Sequence, residues 1–407
     1  MLYYSAIKQY YKRRFSIILN INIKNNMKKI GTHRTENMPV SIFSTMSMLA
    51  NEYKAVNLGQ GFPDFDGPAW IMDEAYKAMK EGKNQYAPSQ GIYSLRKTLK
   101  ELYKENYYLD IEIDDITITA GATEALYSTI NALIEDGDEV VMFEPFYDAY
   151  HANVILSGGI PKYVTLHKPD FSFSEEELRQ AISEKTKMLI LNNPHNPSGK
   201  VYSKSELEII AKVAIEKDLL VLSDEVYEYL TFEGATHIPI ASINGMKERT
   251  ITISSTGKTF GLTGWKIGYT IASESITKAI RSIHQWTTFA VNTPGQHAMA
   301  FAFQNIKEYL PEFRDTYLRK RKLMLDELSK TKFKAFAPKG SYFMFAEIPN
   351  GINDMDAAMD LVKRCQVATI PPSVFYGKSD EGQTMLRLCF AKQDETIVSG
   401  IRNMAKF

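Results

Sequence analysis

From residue 116 onward the chain alternates short β-branched or apolar runs with longer stretches in which apolar residues recur every third or fourth position. The runs at 116–119, 139–143, 187–191, 219–223, 250–254 and 267–271 predict strands, and 123–134, 174–183 and 204–217 predict helices among them. Strand–helix alternation of this kind specifies an α/β fold, a mainly parallel sheet covered by helices on both faces. Upstream, 69–82 and 92–107 read as helices, and Ile42, Phe43, Met46, Met48 and Leu49 mark the apolar face of an earlier one. Downstream the rhythm changes. A charged helical region runs from about 304 to 329, after which strands at 339–345 and 385–391 flank a helix at 354–365. The expected division is therefore an extension over 1–37, a segment 38–66 that packs with the small domain, a large domain over 67–304, and a smaller α+β domain over 305–407.

At 407 residues the chain is long enough for two or three domains. Lys+Arg and Asp+Glu are equal at 48 each, a balance that argues against a nucleic-acid or membrane-surface partner and for a small molecule. The charged run Arg314, Arg319, Lys320 and Arg321 reads as a solvated helix face. Only two cysteines occur, Cys365 and Cys389, in no metal-ligand spacing, which fits a reducing, cytoplasmic setting and no metal. No apolar run reaches the roughly 18 residues a membrane span needs. The first 37 residues carry basic side chains from Lys8 to Arg34 and no acid before Glu36. They read as a dispensable, disordered extension, with a targeting segment around Phe15–Leu19 as the alternative.

The unusual residues fall just past the strand ends: Gly121-Ala122-Thr123, Phe146-Tyr147, Asn192 to Gly199, Asp224 to Tyr227, and Ser255 with Lys258. Ligands of open α/β sheets bind at the carboxyl ends of the strands, so five such ends point at one crevice. Each residue alone has an ordinary reading. Lys258 could be a solvated loop charge, Thr123 a helix start, Asp224 a cap for the next helix, Tyr147 or Phe146 core, and Arg387 half of a buried ion pair. Together they ask for a ligand with a phosphate, an aldehyde and a basic ring nitrogen, and pyridoxal 5'-phosphate has all three. Lys258 would hold the aldehyde, with its pKa lowered by Lys266 and desolvation. Gly121, Ala122 and Thr123 would receive the phosphate at a helix N-terminus, completed by Ser255 and Lys266. Asp224 would hold the ring nitrogen's proton, Tyr227 and Asn196 the ring oxygen, Tyr147 or Phe146 the ring face, and Arg387 a substrate carboxylate.

With these residues placed, the chain from about 38 to its end resembles the fold type I, pyridoxal-phosphate-dependent aminotransferases of class I. The motifs that carry the likeness are Ser255-x-Gly257-Lys258-Thr259-Phe260-Gly261, His195-Asn196-Pro197-Ser198-Gly199 and Ser223-Asp224-Glu225-Val226-Tyr227. Asn57 to Phe65, Gln85-Tyr86-Ala87-Pro88, Thr119 to Ala125 and Thr263-Gly264-Trp265-Lys266 are similar to the methionine and kynurenine/glutamine aminotransferase branch. The resemblance implies Lys258 as Schiff-base lysine and proton carrier, and a substrate carboxylate held by Arg387, Asn196 and the Gly61 backbone. It implies a homodimer with shared sites, in which Tyr86 reaches the partner's phosphate, and Phe43 and a partner's Phe289 line the substrate pocket. The aspartate-specific branch carries an extra arginine where this chain reads 285–292, and no cation is present there. Apolar, aromatic or glutamine-like donors such as methionine are therefore expected over dicarboxylates, with ping-pong transfer to a 2-oxo acid. A cofactor-dependent C–S β-lyase is the alternative chemistry. A non-catalytic sensor domain of a DNA-binding regulator is the alternative class, and nothing before residue 38 is long enough for a winged helix.

Overall fold

The computed structural model describes residues 31–36, 38 and 40–407. Two units separate at residue 38. In the first, the described part holds one helical turn, His33–Glu36; the basic run from Lys8 to Lys29 and the apolar stretch 15–19 lie outside the described residues. The second, residues 39–407, carries the fold.

Its helices α1 (Ile42–Glu52), α2 (Ala69–Lys80) and α3 (Tyr93–Tyr107) precede the first strand of the main sheet. There follow β1 (Ile116–Thr119), α4 (Gly121–Leu133), β2 (Glu139–Glu144), α5 (Asp148–Leu156), β3 (Ile160–Thr165), β4 (Thr186–Asn192), α6 (Lys204–Glu216), β5 (Leu220–Asp224), β6 (Thr250–Ser255) and β7 (Gly268–Ile271). The seven strands form one sheet in the order β1-β7-β6-β5-β4-β2-β3. β7 alone runs against its neighbours β1 and β6. The sheet is thus mixed, mostly parallel and flanked by helices, as the alternation predicts. β1, β2 and β7 are buried at every position, and helices explain it: a strand covered on both faces has no solvent side.

Local chemistry sets the element ends. Ser203 caps α6 by accepting from the Glu206 N–H while the Glu206 carboxylate returns to the Ser203 N–H, a reciprocal cap that contributes about 1 kcal/mol. On α1 the buried residues are Ile42, Met46, Leu49 and Ala50, at helical spacing, whereas Met48 points to solvent. The expected apolar face is correct apart from Met48, which lies 200° from Met46 and so cannot share its side.

After α7 (Glu274–Thr287), α8 (Thr293–Gln304) and the long α9 (Ile306–Leu328), the chain builds a second, antiparallel sheet. Its strands β8 (Phe343–Glu347) and β9 (Met385–Cys389) pair directly, with Lys334–Ala335 on the outer edge of β8. Residues 339–342, expected to open the strand, instead form a turn in which the Lys339 carbonyl accepts from the Phe232 N–H. Val56–Asn57 pairs in parallel with Val367–Ala368, and the Cys389 N–H donates to the Leu58 carbonyl. These bonds bring the stretch before Gly61 alongside β9, where Arg387 lies.

Candidate active site

The carboxyl ends of β1, β2, β4, β5 and β6 open into one cavity of about 350 Å³. Every site residue expected from the sequence lines it except Tyr86 and Phe289. Its polar end is the start of α4. Gly121 sits at φ 73°, in the left-handed region glycine tolerates, and a Cβ there would meet Lys266 Cε and Nζ at 3.4 and 3.5 Å. Lys266 is itself left-handed, at φ 52°, a conformation that costs a side-chain-bearing residue roughly 1–2 kcal/mol. That turn puts its Nζ 3.0 Å from Thr123 Oγ1. Burial pushes the Lys266 pKa down. Free N–H groups of Ala122 and Thr123, a hydroxyl and an ammonium thus surround one corner, with Ser255 beside them.

Lys258 and Lys266 belong to one connection. β6 and β7 are antiparallel neighbours, and their pairing Ser255↔Gly268 closes the loop that carries both cations over the sheet edge. Gly268 is required for that closure, because a Cβ there would lie 2.7 Å from the Gly121 carbonyl carbon. Lys258 Nζ donates to the Gly61 carbonyl at 3.3 Å and lies 6.0 Å from the Tyr227 ring centre. Burial, aided by Lys266 and Arg387 and opposed by Asp224, lowers its pKa to about 8. Desolvation is thus the chief cause, with Lys266 secondary.

Asp224, at the end of β5, is buried and pairs with no cation by hydrogen bond; it accepts from Tyr150 Oη at 2.6 Å and from the Val226 N–H at 3.3 Å. Burial raises its pKa to about 6 despite those two donors. A carboxylate so placed is suited to a cationic N–H on whatever fills the cavity. Tyr227 stands edge-on to Tyr342 and Phe343, and burial pushes its phenol well up, so its hydroxyl keeps its proton as a donor. Tyr147 lines the cavity, edge-on to Tyr150, whereas Phe146 stacks on His151 and Tyr163 away from it. Of the two expected aromatics, Tyr147 is the one at the site.

At the opposite end Arg387 is buried with no carboxylate partner. Its guanidinium donates to Asn196 Oδ1 at 3.1 Å and to the Gly59 carbonyl at 2.6 Å, and its Nε has no protein partner. The rings of Phe343, Phe43 and Phe375 surround its Cζ at 4.2, 4.7 and 5.7 Å. Burial lowers its pKa only to about 10, so it remains a cation at neutral pH. A buried, ring-caged guanidinium with an unspent N–H is suited to a carboxylate. Gly61 contributes its carbonyl, shared between Lys258 and Tyr342 Oη.

Tyr150 and Tyr342 escape the sequence reading as contributors, and Asn192 and Gly59, noted there only as strand-end and loop residues, gain their roles here. Asn192 Nδ2 donates to the Asp224 carbonyl, and its Oδ1 accepts from the Asn196 N–H, so one amide fixes both neighbours. The Asn-Asn-Pro punctuation after β4 is the one signal that points to it. Tyr86 and Phe289 are exposed and meet each other edge-to-face at 5.5 Å, Phe289 in the left-handed region at φ 66°.

The family described as aminotransferase class I and II matches residues 53–401. The chain belongs to the class I and II aminotransferases. This aminotransferase is 36% identical over 382 residues to a methionine aminotransferase of Escherichia coli, covering 93% of the chain and 99% of the relative. It is 37% identical over 431 residues to a kynurenine–oxoglutarate transaminase of Dictyostelium discoideum, with 94% and 99% covered. Among solved structures, an Escherichia coli protein reported with a methionine aminotransferase function superposes with TM-score 0.89 at 36% identity, covering 93% of this chain and all of that one. The N-succinyldiaminopimelate aminotransferase of Mycobacterium tuberculosis superposes with TM-score 0.90 at 35% identity, with 92% and 99% covered. The aminotransferase has the fold type I architecture and depends on pyridoxal 5'-phosphate. Its cavity fits that cofactor: a carboxylate without a cation, a lysine of lowered pKa and a bare-backbone cup with its own ammonium occupy separate walls.

Proposed function

We propose that this aminotransferase moves the α-amino group of methionine, or of a similar apolar, aromatic or glutamine-like L-amino acid, to a 2-oxo acid. The observation that carries the reading is the cavity's cation inventory. Among the described residues lining it the cations are Lys258, Lys266 and Arg387, and the first two sit at the cofactor's aldehyde and phosphate ends. Arg387 is left for the substrate's α-carboxylate, and no second guanidinium meets a side-chain carboxylate. Phe43, Phe62 and Tyr147 supply apolar wall instead.

When bound, pyridoxal 5'-phosphate supplies a carbonyl to carry the amino group and an electron-withdrawing ring. The protein's residues do the rest. Gly121, Ala122, Thr123, Ser255 and Lys266 would hold the phosphate, Tyr147 the ring face, Tyr227 and Asn196 the ring oxygen, and Asp224 would keep the ring nitrogen protonated. Arg387 and Asn196 clamp the substrate carboxylate and so aim the α-C–H bond. Lys258 Nζ, buried and of lowered pKa, would take the α-proton and return it. The ring cage around Arg387 excludes water from the carboxylate contact. The relatives' names, all for amino-group transfer, favour this reading over β-elimination.

The same proposal holds that the enzyme is a homodimer, with Tyr86 and Phe289 completing the partner's site; the support is their exposure together with their absence from this chain's own cavity. A cytoplasmic location belongs to it as well, supported by two buried free thiols. Assaying a panel of amino donors against one 2-oxo acid tests the substrate reading: methionine and aromatic donors should exceed aspartate in kcat/KM by about a hundredfold or more, as expected when a carboxylate meets no partner in a buried site. Lys258→Ala should abolish turnover and the absorption band of the bound cofactor. Efficient aspartate turnover, or activity in the lysine variant, overturns the proposal.

A further inference from the structure

α4, whose first turn receives the phosphate, carries one acidic residue in that turn, Glu124. A bare carboxylate there opposes an incoming dianion and weakens the favourable helix end. Glu124 is not bare. Its Oε1 lies 2.8 Å from Nδ1 of His284 on α7 and accepts from Ser128 Oγ at 3.0 Å, while its Oε2 accepts from the Ala120 N–H at 2.6 Å. The other imidazole nitrogen, Nε2, is 2.7 Å from the Ser89 carbonyl, an acceptor with no proton to give. Nε2 must therefore donate, and with Nδ1 donating to the Glu124 carboxylate as well the ring is an imidazolium. Both side chains are nearly inaccessible, at 1% and 7% exposure. Burial works against the charged ring, but the Glu124 bond and charge and the Ser89 carbonyl outweigh it and raise the pKa, with Arg281 opposing.

Resting on the phosphate cup described above, we propose that His284 is a positioning residue for the cofactor phosphate: paired with Glu124, it cancels the buried acidic charge behind the cup. The placement has a second effect. Ser89 belongs to the loop that presents Tyr86, and the His284 carbonyl accepts from the N–H groups of Thr288 and Phe289, each at 3.0 Å. His284 therefore ties the cup to both exposed aromatics, its imidazole through the loop that holds Tyr86 and its backbone carbonyl through the turn that holds Phe289, although the two lie far apart in the chain.

The test compares the full-length protein's affinity for pyridoxal 5'-phosphate with its affinity for pyridoxal, by equilibrium titration, in His284→Gln, Glu124→Gln and the double variant. His284→Gln leaves Glu124 uncompensated, so the preference for the phosphorylated form should fall about tenfold. Pyridoxal binding itself should change less than twofold. Glu124→Gln removes the opposing charge and should keep the preference or raise it, and the double variant should recover to within about threefold of the wild-type preference. Equal loss for both ligands, a tenfold loss in Glu124→Gln, or a double variant as impaired as His284→Gln overturns the proposal, since a merely structural pair gives those results. Should His284→Gln fail to fold, Glu124→Gln and the double variant still decide. A wild-type protein with no preference for the phosphate overturns the cup itself, a separate outcome.

Discussion

Asp224 is a carboxyl almost closed off from water, and its free energy runs in a definite direction with pH. Its folded pKa, about 6, lies above the ordinary value of 3.8. Its contribution to stability is therefore fully present below pH 3.8 and lost as pH rises through 6, leaving the cofactor-free protein with a buried, unpaired charge at neutrality. A gap of roughly two units corresponds to about 3 kcal/mol. Asp224→Asn should accordingly stabilise the cofactor-free protein by about 1–3 kcal/mol at pH 8 and by about half as much at pH 5, while destroying cofactor retention. Thermal melts at both pH values check this, and an equal effect at the two would contradict it. At this scale the sequence shows Lys258, Asp224, Asn196 and Arg387 because each is a costly residue type placed in an apolar run or at its end. Tyr150 is different. The chain has 23 tyrosines, and the one whose hydroxyl meets Asp224 lies 74 positions away, a pairing only the packed α5 makes visible.

Elements deliver these side chains, and Glu144, the last residue of β2, shows how one strand end holds a distant loop. Its carboxylate accepts from the N–H groups of Gly377, Lys378 and Ser379 at 2.6, 2.9 and 2.9 Å and from Thr165 Oγ1 at 2.8 Å. The loop it fixes follows Phe375, one ring of the Arg387 cage. Glu144→Gln replaces an acceptor oxygen with a second donor facing N–H groups, and it should cost about 1–3 kcal/mol in stability. Amide exchange at 377–379 should quicken about tenfold or more while β5 and β6 keep their protection. Unchanged exchange there would show that the loop holds itself. Six strands and most helices of the α/β region are legible within a residue or two, because burial on both faces demands β-branched runs. β3 is not: Pro161 and Lys162 interrupt it, and as an edge strand it is only partly buried along its first four positions. The direction of β7 is hidden for another reason, since apolar patterning is the same for a parallel and an antiparallel neighbour.

For the whole molecule, zero net charge and the exposed aromatics Tyr86, Phe289 and Trp286, at 83%, 50% and 86%, support the proposed self-association over nucleic-acid or membrane contact. No described helix is long and apolar enough to cross a membrane. If two chains share their sites, mixing inactive Lys258→Ala subunits with Tyr86→Ala subunits should restore activity, because each hybrid dimer contains one site with neither lesion. Activity no greater than the sum of the separate variants would mean that each chain works alone. The family was readable from motifs at strand ends, whereas the part that a second chain would play rests on two aromatics whose neighbours in sequence look like ordinary loop.

The three rings around Arg387 have one more effect. They leave a permanent cation in a pocket that water solvates poorly, so the site is never indifferent to what stands opposite it. Any small monocarboxylate satisfies it, and the oxo acid made in one half-turnover carries the same group as the amino acid consumed. If Arg387 holds the substrate carboxylate, one anion must leave before the next can enter, the product oxo acid should inhibit, and acetate or formate buffers should compete with the substrate for Arg387.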